Sequence, residues 1–193
     1  MVKYFDYVEE LRQTLTECSV EHGAQALPMP EALEFWIEKT HRISLNGKQI
    51  FLLGNGASAT MAEHLAFDVM KNGKIKTVGF SEAAYLTAMG NDLCFEDVFS
   101  LKLERLAAPE DMLVTISSSG NSPNVIRALE CAQKLGLFTV TLSAMKPDNK
   151  SRRIGDLNFY VPAPTYGLAE SAHSALLHIW LDAYLDKYRD GRK

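Results

Sequence analysis

The apolar pattern of this chain changes period near residue 48. Upstream, apolar residues fall at steps of three and four: Phe5, Val8, Leu11, Leu15 and Cys18, with Glu9, Glu10, Arg12 and Gln13 on other positions. That spacing predicts a helix from Tyr4 to Ala24. A second helical pattern runs from Glu31 to Leu45 through Leu33, Phe35, Trp36, Ile37 and Ile43. Pro28 and Pro30 break the chain between them, because proline has no N–H to give a helix. Asn46-Gly47 closes the second helix. Residues 1–47 therefore read as a helical hairpin. One stripe would pack on the rest of the chain, and a protruding helix would pack on a second subunit, so an oligomer is expected.

Downstream, short apolar runs alternate with helical patterns. Gln49–Leu53, Ile75–Gly79, Met112–Ile116, Phe138–Leu142 and Leu157–Val161 read as five strands. Helices are predicted over Ala57–Lys71, Ala83–Met89, Glu96–Leu106, Asn121–Leu135 and Leu168–Tyr188, with a helical turn at Lys150–Ile154. These strands are apolar throughout rather than alternating, which marks a parallel sheet covered on both faces. The expected fold of residues 48–193 is α/β, a five-stranded parallel sheet flanked by helices. Ligands of such sheets bind beyond the carboxyl ends of the strands.

Two unusual turns stand at those ends. Phe51-Leu52-Leu53 runs into Gly54-Asn55-Gly56-Ala57-Ser58, and a helix starts at once. The first N–H groups of a helix have no partner within it, so such a turn suits an anion. It lacks the third glycine of the dinucleotide fingerprint and the lysine of a P-loop. Met112-Leu113-Val114 runs into Thr115-Ile116-Ser117-Ser118-Ser119-Gly120-Asn121-Ser122, again ahead of a helix. Its four serines put hydroxyl donors beside unpaired main-chain N–H groups. With no lysine or arginine in the turn, a phosphate would be held by hydroxyls, main chain and the helix dipole. Both turns follow strands of one sheet and can converge on a single phosphorylated ligand.

Composition narrows the ligand. The net charge is −4 with no basic stripe, which argues against nucleic acid. No apolar run approaches membrane-spanning length, and Met1-Val2-Lys3-Tyr4-Phe5-Asp6 has no signal-peptide character. Cys18, Cys94 and Cys131 are odd in number and scattered, which fits a reducing, cytoplasmic setting and no disulfide framework.

The titratable residues fall on two helices. His64 and Asp68 are four apart and share a helical face. That suits a divalent metal, an acid/base pair, or a plain surface ion pair. The final helix carries Glu170, His173 and His178. Glu170 shares a face with His173 and with His178, and His178 sits in an apolar run. If the two helices meet, their carboxylates and imidazoles would make a four-ligand site of nitrogen and oxygen atoms, suited to zinc or another borderline ion. The alternative is a core histidine with a backbone partner. Asp92, in a predicted Gly90-Asn91-Asp92 turn, would orient a sugar hydroxyl or cap the next helix. Lys146 and Arg152-Arg153 read as solvated surface.

These residues together resemble a sugar isomerase (SIS) domain, and within that superfamily the chain is most similar to the phosphoheptose (sedoheptulose 7-phosphate) isomerases. The likeness rests on Gly54-Asn55-Gly56-Ala57-Ser58, Gly90-Asn91-Asp92, Ile116-Ser117-Ser118-Ser119-Gly120-Asn121-Ser122, the N-terminal helices and the histidine-bearing last helix. It implies a flavodoxin-like three-layer sandwich in residues 48–193, with 1–47 used in oligomerisation. It implies phosphate binding by Ser58, Ser117, Ser119 and Ser122, with Ser118 and Gly56 alongside, and sugar contacts from Asn55 and Asp92. The family binds zinc through His and Glu on the first helix and Gln and His on the last. The matching positions here are His64, Asp68, Glu170 and His178, so Asp stands for Glu and Glu for Gln.

The implied reaction is aldose–ketose isomerisation through an enediol, serving heptose biosynthesis for lipopolysaccharide, capsule or S-layer. Asp68 and His178 would be the acid/base pair, with Glu170 as substitute. No nucleotide cofactor is implied, and the implied assembly is a cytoplasmic homotetramer with shared sites. Rival readings are an isomerase of another phosphosugar, an adaptor that binds a replication initiator, and a phosphosugar sensor without turnover. His64 and His178 argue against the adaptor, which has no evident need of them.

Overall fold

The structure is a computed structural model and describes residues 3–191. The chain opens with α1 (Tyr4–Thr16), a hairpin of β1 (Ser19–His22) and β2 (Gln25–Leu27), and α2 (Met29–Leu45). Then come β3 (Gln49–Gly54), α3 (Ala57–Lys71), β4 (Lys76–Val78), α4 (Ala83–Asp92) and a 3-10 turn at Phe95–Asp97. After α5 (Ser100–Leu106) follow β5 (Met112–Ser117), α6 (Pro123–Leu135), β6 (Phe138–Ala144), α7 (Ser151–Ile154), β7 (Leu157–Val161) and α8 (Tyr166–Tyr188). The strands form one sheet in the order β2-β1-β7-β6-β5-β3-β4.

The α/β class is as expected, but the sheet has seven strands, not five, and is mostly rather than wholly parallel. β3, β4, β5, β6 and β7 pair in parallel. The two added strands come from the segment read as the end of a helix. β1 pairs antiparallel with β7 and with β2. The first helix stops at Thr16, and Gly23-Ala24 forms a two-residue loop between His22 and Gln25. Gly23 has φ +58° and Ala24 does not take positive φ. A glycine alone at positive φ in the first loop position is the signature of a type II′ hairpin turn. The two N-terminal helices are therefore joined by a sheet extension, not by a plain helix–helix connection. Residues Gly90–Asp92, expected as a turn, continue α4 to its end.

Both faces of the sheet are covered. Successive residues of β3 point to opposite sides: Ile50 and Leu52 join one core, Phe51 and Leu53 the other. The first core takes α2, α3 and α8, with Trp36 and Trp180 stacked at 4.4 Å and Trp180 Nε1 donating to Thr40 Oγ1 at 2.9 Å. The second takes Val98, Phe99, Leu103 and the apolar face of α6. Val20, Ala32, Trp36 and Ile43 belong to the first core, so the N-terminal segment is built into the sheet domain. Burial raises the Cys18 thiol to about 12 and raises that of Cys131, so neither is a ready nucleophile. Among the described residues, no helix is long and apolar enough to cross a membrane.

Candidate active site

Parallel order brings three helix N-termini to one edge. Helices α3, α6 and α8 each begin just beyond the carboxyl end of β3, β5 or β7. Their positive ends and unpaired N–H groups therefore face the same region. A cavity of about 130 Å³ lies there, lined by Asn55, Ser58, Ile116, Ser117, Ser118, Ser119, Ser122, Tyr166 and Glu170. The two turns singled out by their composition thus converge on one space. It is well below the roughly 300–1,000 Å³ of a complete small-molecule site. It suits the phosphate end of a ligand, with the remainder extending outward. Larger surface cavities, such as one of about 560 Å³ along α2, bring no comparable chemistry together.

The first turn is shaped by close approach. A Cβ on Gly54 would lie 2.6 Å from Ser58 Cβ and 2.7 Å from the Ile116 carbonyl oxygen, so only glycine lets α3 start this close to β5. Gly56 is the cap residue of α3, and Ser58 is buried just inside it. Asn55 is joined to Asn124 by two amide hydrogen bonds of 2.9 and 3.0 Å.

The second turn is held from outside. Gly120 has φ +61°, and a Cβ there would overlap the side chain of Asn149. Ser151 donates to the Gly120 carbonyl from both its N–H and its hydroxyl, each at 3.0 Å. The Lys150 N–H donates to Asn121 Oδ1 at 3.0 Å. Buried Asn149 donates to Ser143 Oγ and to the Lys146 carbonyl. Within the turn, Ser117 and Ser118 are buried and Ser119 Oγ accepts from the Asn121 N–H at 3.2 Å. The Ser118 hydroxyl is buried without a partner. An unpaired buried hydroxyl costs stability and marks a place where a ligand oxygen would be welcome.

The titratable residues form two groups. His64 Nε2 lies 3.2 Å from Asp68 Oδ2, with the imidazole exposed and the carboxylate mostly covered. The His178 ring of α8 faces the His64 ring at 5.8 Å. Glu170 instead stands on the wall of the serine cavity. The two helices do meet. Among the described residues, however, no three His, Cys, Asp or Glu side chains are gathered as a metal-binding group. The donor chemistry of His64, Asp68, Glu170 and His178 suits a borderline divalent ion.

Asp92 does not line the cavity. It is exposed at the end of α4 and accepts from Asn91 Nδ2 at 2.7 Å. Lys146 and Arg153 also lie off the cavity, and Arg152 pairs with Glu21 at 2.5 Å. Tyr166 and Asn124 were not anticipated from the sequence. A tyrosine at a helix start carries no phosphate-binding signal, and the role of Asn124 arises only from its pairing with Asn55 of the neighbouring turn.

A three-layer α/β sheet with serine-rich turns at its carboxyl edge is the architecture of a phosphosugar-binding domain. Residues 4–144 match the model of the SIS domain. A phosphoheptose isomerase of Trichlorobacter lovleyi is 35% identical over 161 residues, 80% of each chain. One from Helicobacter pylori strain P12 is 34% identical over 143 residues, 71% of this chain and 74% of that one. The solved phosphoheptose isomerase of Neisseria gonorrhoeae superposes with a TM-score of 0.79 at 28% identity, covering 92% of this chain and 94% of its own. The chain belongs to the SIS domain family and, within it, to the phosphoheptose isomerases.

Proposed function

We propose that this chain interconverts sedoheptulose 7-phosphate and D-glycero-D-manno-heptose 7-phosphate, supplying heptose for lipopolysaccharide, capsule or S-layer. The observation that carries the reading is one cavity lined by both anion-binding turns and by Glu170. Kinship with isomerases named for phosphoheptose supports the substrate. Ser58, Ser117, Ser119 and Ser122 would hold the phosphate with Gly56 and Ser118, and three helix N-termini would favour its charge. Asn55 and Glu170 would meet sugar hydroxyls, with Asp92 reaching them only after movement of the end of α4.

The reaction moves one proton between adjacent carbons. Asp68 would take the proton from C1 of the ketose while His178 gives one to the C2 oxygen, forming an enediol. Asp68 would return its proton to C2, and His178 would recover one from the C1 hydroxyl, leaving an aldehyde. Hydrogen count and charge are unchanged overall. Glu170 would substitute for Asp68 should the shorter carboxylate fall short of C1. The phosphate clamp supplies remote binding energy that aligns C1 and C2 with this pair. His64, Asp68, Glu170 and His178 would hold a divalent ion, zinc by donor type, whose contribution when bound is polarisation of the substrate's oxygens.

The assembly belongs to the same proposal. His64 shares its helical face with Phe67, which is 55% exposed, and His178 is followed by exposed Ile179. A second subunit seated on this apolar rim, and on exposed Tyr4 and Phe5 of α1, would close the site into a homotetramer with shared active sites.

The test is incubation with sedoheptulose 7-phosphate in deuterated water, followed by NMR. Conversion with deuterium entering C2 is expected, and Asp68→Ala and His178→Ala should each lower it by about 100-fold or more. Phosphosugar binding with neither conversion nor exchange would refute the isomerase and leave a sensor or adaptor.

A further inference from the structure

Past Gly54 and Ile116, the ladder between β3 and β5 ends, and both anion-binding turns leave the sheet. Nothing in the sheet itself then fixes their spacing. Among the described residues, the hydrogen bonds that join residues 55–58 to residues 118–125 are those of one amide pair. Asn55 Nδ2 donates to Asn124 Oδ1 at 2.9 Å, and Asn124 Nδ2 donates to Asn55 Oδ1 at 3.0 Å. Asn124 also accepts from the Val125 N–H at 3.0 Å. It is 3% exposed, sits in the first turn of α6, and does not line the cavity.

We infer that Asn124 is a positioning residue that holds the two turns at one spacing, so that both act on a single phosphate. The inference rests on reading the serine cavity as the phosphate site. An asparagine amide has one acceptor oxygen and two donor hydrogens, so it can give and receive at once. A reciprocal pair uses both functions on each side and fixes separation and orientation together. A serine or threonine hydroxyl gives and receives through a single atom and so cannot match the two ends of an amide, and aspartate would oppose two oxygens. The pair also orients Asn55, which does line the cavity. One N–H and one lone pair of Asn55 remain for a ligand after the pair is made. Losing Asn124 strips both bonds from Asn55 and frees the first turn to drift from the second. The chemistry of β-strand spacing is kept, while the match to one phosphate is lost.

The test uses the full chain with Asn124→Ala, and Asn124→Ser as a second variant should the alanine protein not fold. Inorganic phosphate binding is measured by calorimetry, and steady-state kinetics are taken with sedoheptulose 7-phosphate. The expected result is about tenfold weaker phosphate binding. The KM should rise by a similar factor, and kcat should fall or hold, since a displaced phosphate aligns C1 and C2 less well. A merely structural role would lower kcat with KM unchanged, and that result overturns the inference. Wild-type phosphate affinity in a folded variant also overturns it, whatever becomes of the isomerase reading. Wild-type protein that binds no phosphate overturns it as well. If wild type binds phosphate but does not turn the sugar over, the isomerase reading fails while the calorimetric comparison still decides for or against Asn124.

Discussion

His173 lies one helical turn beyond Glu170 and is completely buried, yet neither ring nitrogen has a partner within hydrogen-bond geometry. Burial pushes its pKa down to about 4, with the Ser143 backbone pulling weakly the other way. The ring is therefore neutral at pH 7 and packs as a slightly polar core residue. In the unfolded chain it would titrate near its ordinary value. Between those two values the unfolded state binds the extra proton, so stability rises with pH there and is lost as pH falls toward 4. The size of the effect is about 3 kcal/mol at most. Denaturant unfolding at a series of pH values should show this loss. His173→Leu should flatten the curve between pH 6.5 and 4, because leucine keeps the volume without the proton. Equal slopes in the two proteins would mean that the loss comes from other groups.

The serine turn is the element on which binding depends, and its shape is set by neighbours as much as by its own residues. Gly120 takes positive φ and leaves room for Asn149, while Ser151 holds its carbonyl. Gly120→Ala would meet both costs at once, left-handed strain of about 1 kcal/mol and displacement of Asn149. The variant should stay folded and bind inorganic phosphate at least about tenfold more weakly. Calorimetry with phosphate checks this, and unchanged affinity would show that the turn tolerates the shift.

How much of each element was readable follows from where its determinants lie. The strand β7 was read to its exact bounds, Leu157 to Val161, and β3, β5 and β6 to within two residues, because a strand buried on both faces writes an unbroken apolar run. The Gly and Ser turns were readable because their chemistry is local. The β1–β2 hairpin was not, since Leu15 and Cys18 prolong a helical stripe and only the open edge of β7 decides for strand. Asn124 and Tyr166 were missed for the same reason, as each gains its role from a partner distant in sequence.

At the scale of the molecule, some of the exposed apolar residues fall in groups. Tyr4, Phe5 and Val8 lie together along α1, and Phe67 and Met70 lie together on α3 beside His64. The α1 patch is near the start of α8, since a Cβ on Gly167 would sit 3.0 Å from the Tyr7 hydroxyl. Grouped exposed apolar residues of this kind can mark an interaction site. None of these residues lines the serine cavity, which is too small for a whole sugar phosphate, so a subunit seated on them would hide the patches and could add its own groups to the site. Phe5→Asp and Met70→Asp test this without touching the core, since Phe5 is 82% exposed and Met70 51% exposed in the single chain. Each should leave the thermal midpoint of the isolated chain nearly unchanged while shifting light-scattering mass toward the monomer. Turnover should fall with mass and recover as protein concentration rises, because each site would wait on association. A monomeric variant with full turnover at every concentration would show that one chain builds the whole site. An unshifted mass in both variants would place the interface elsewhere on the surface.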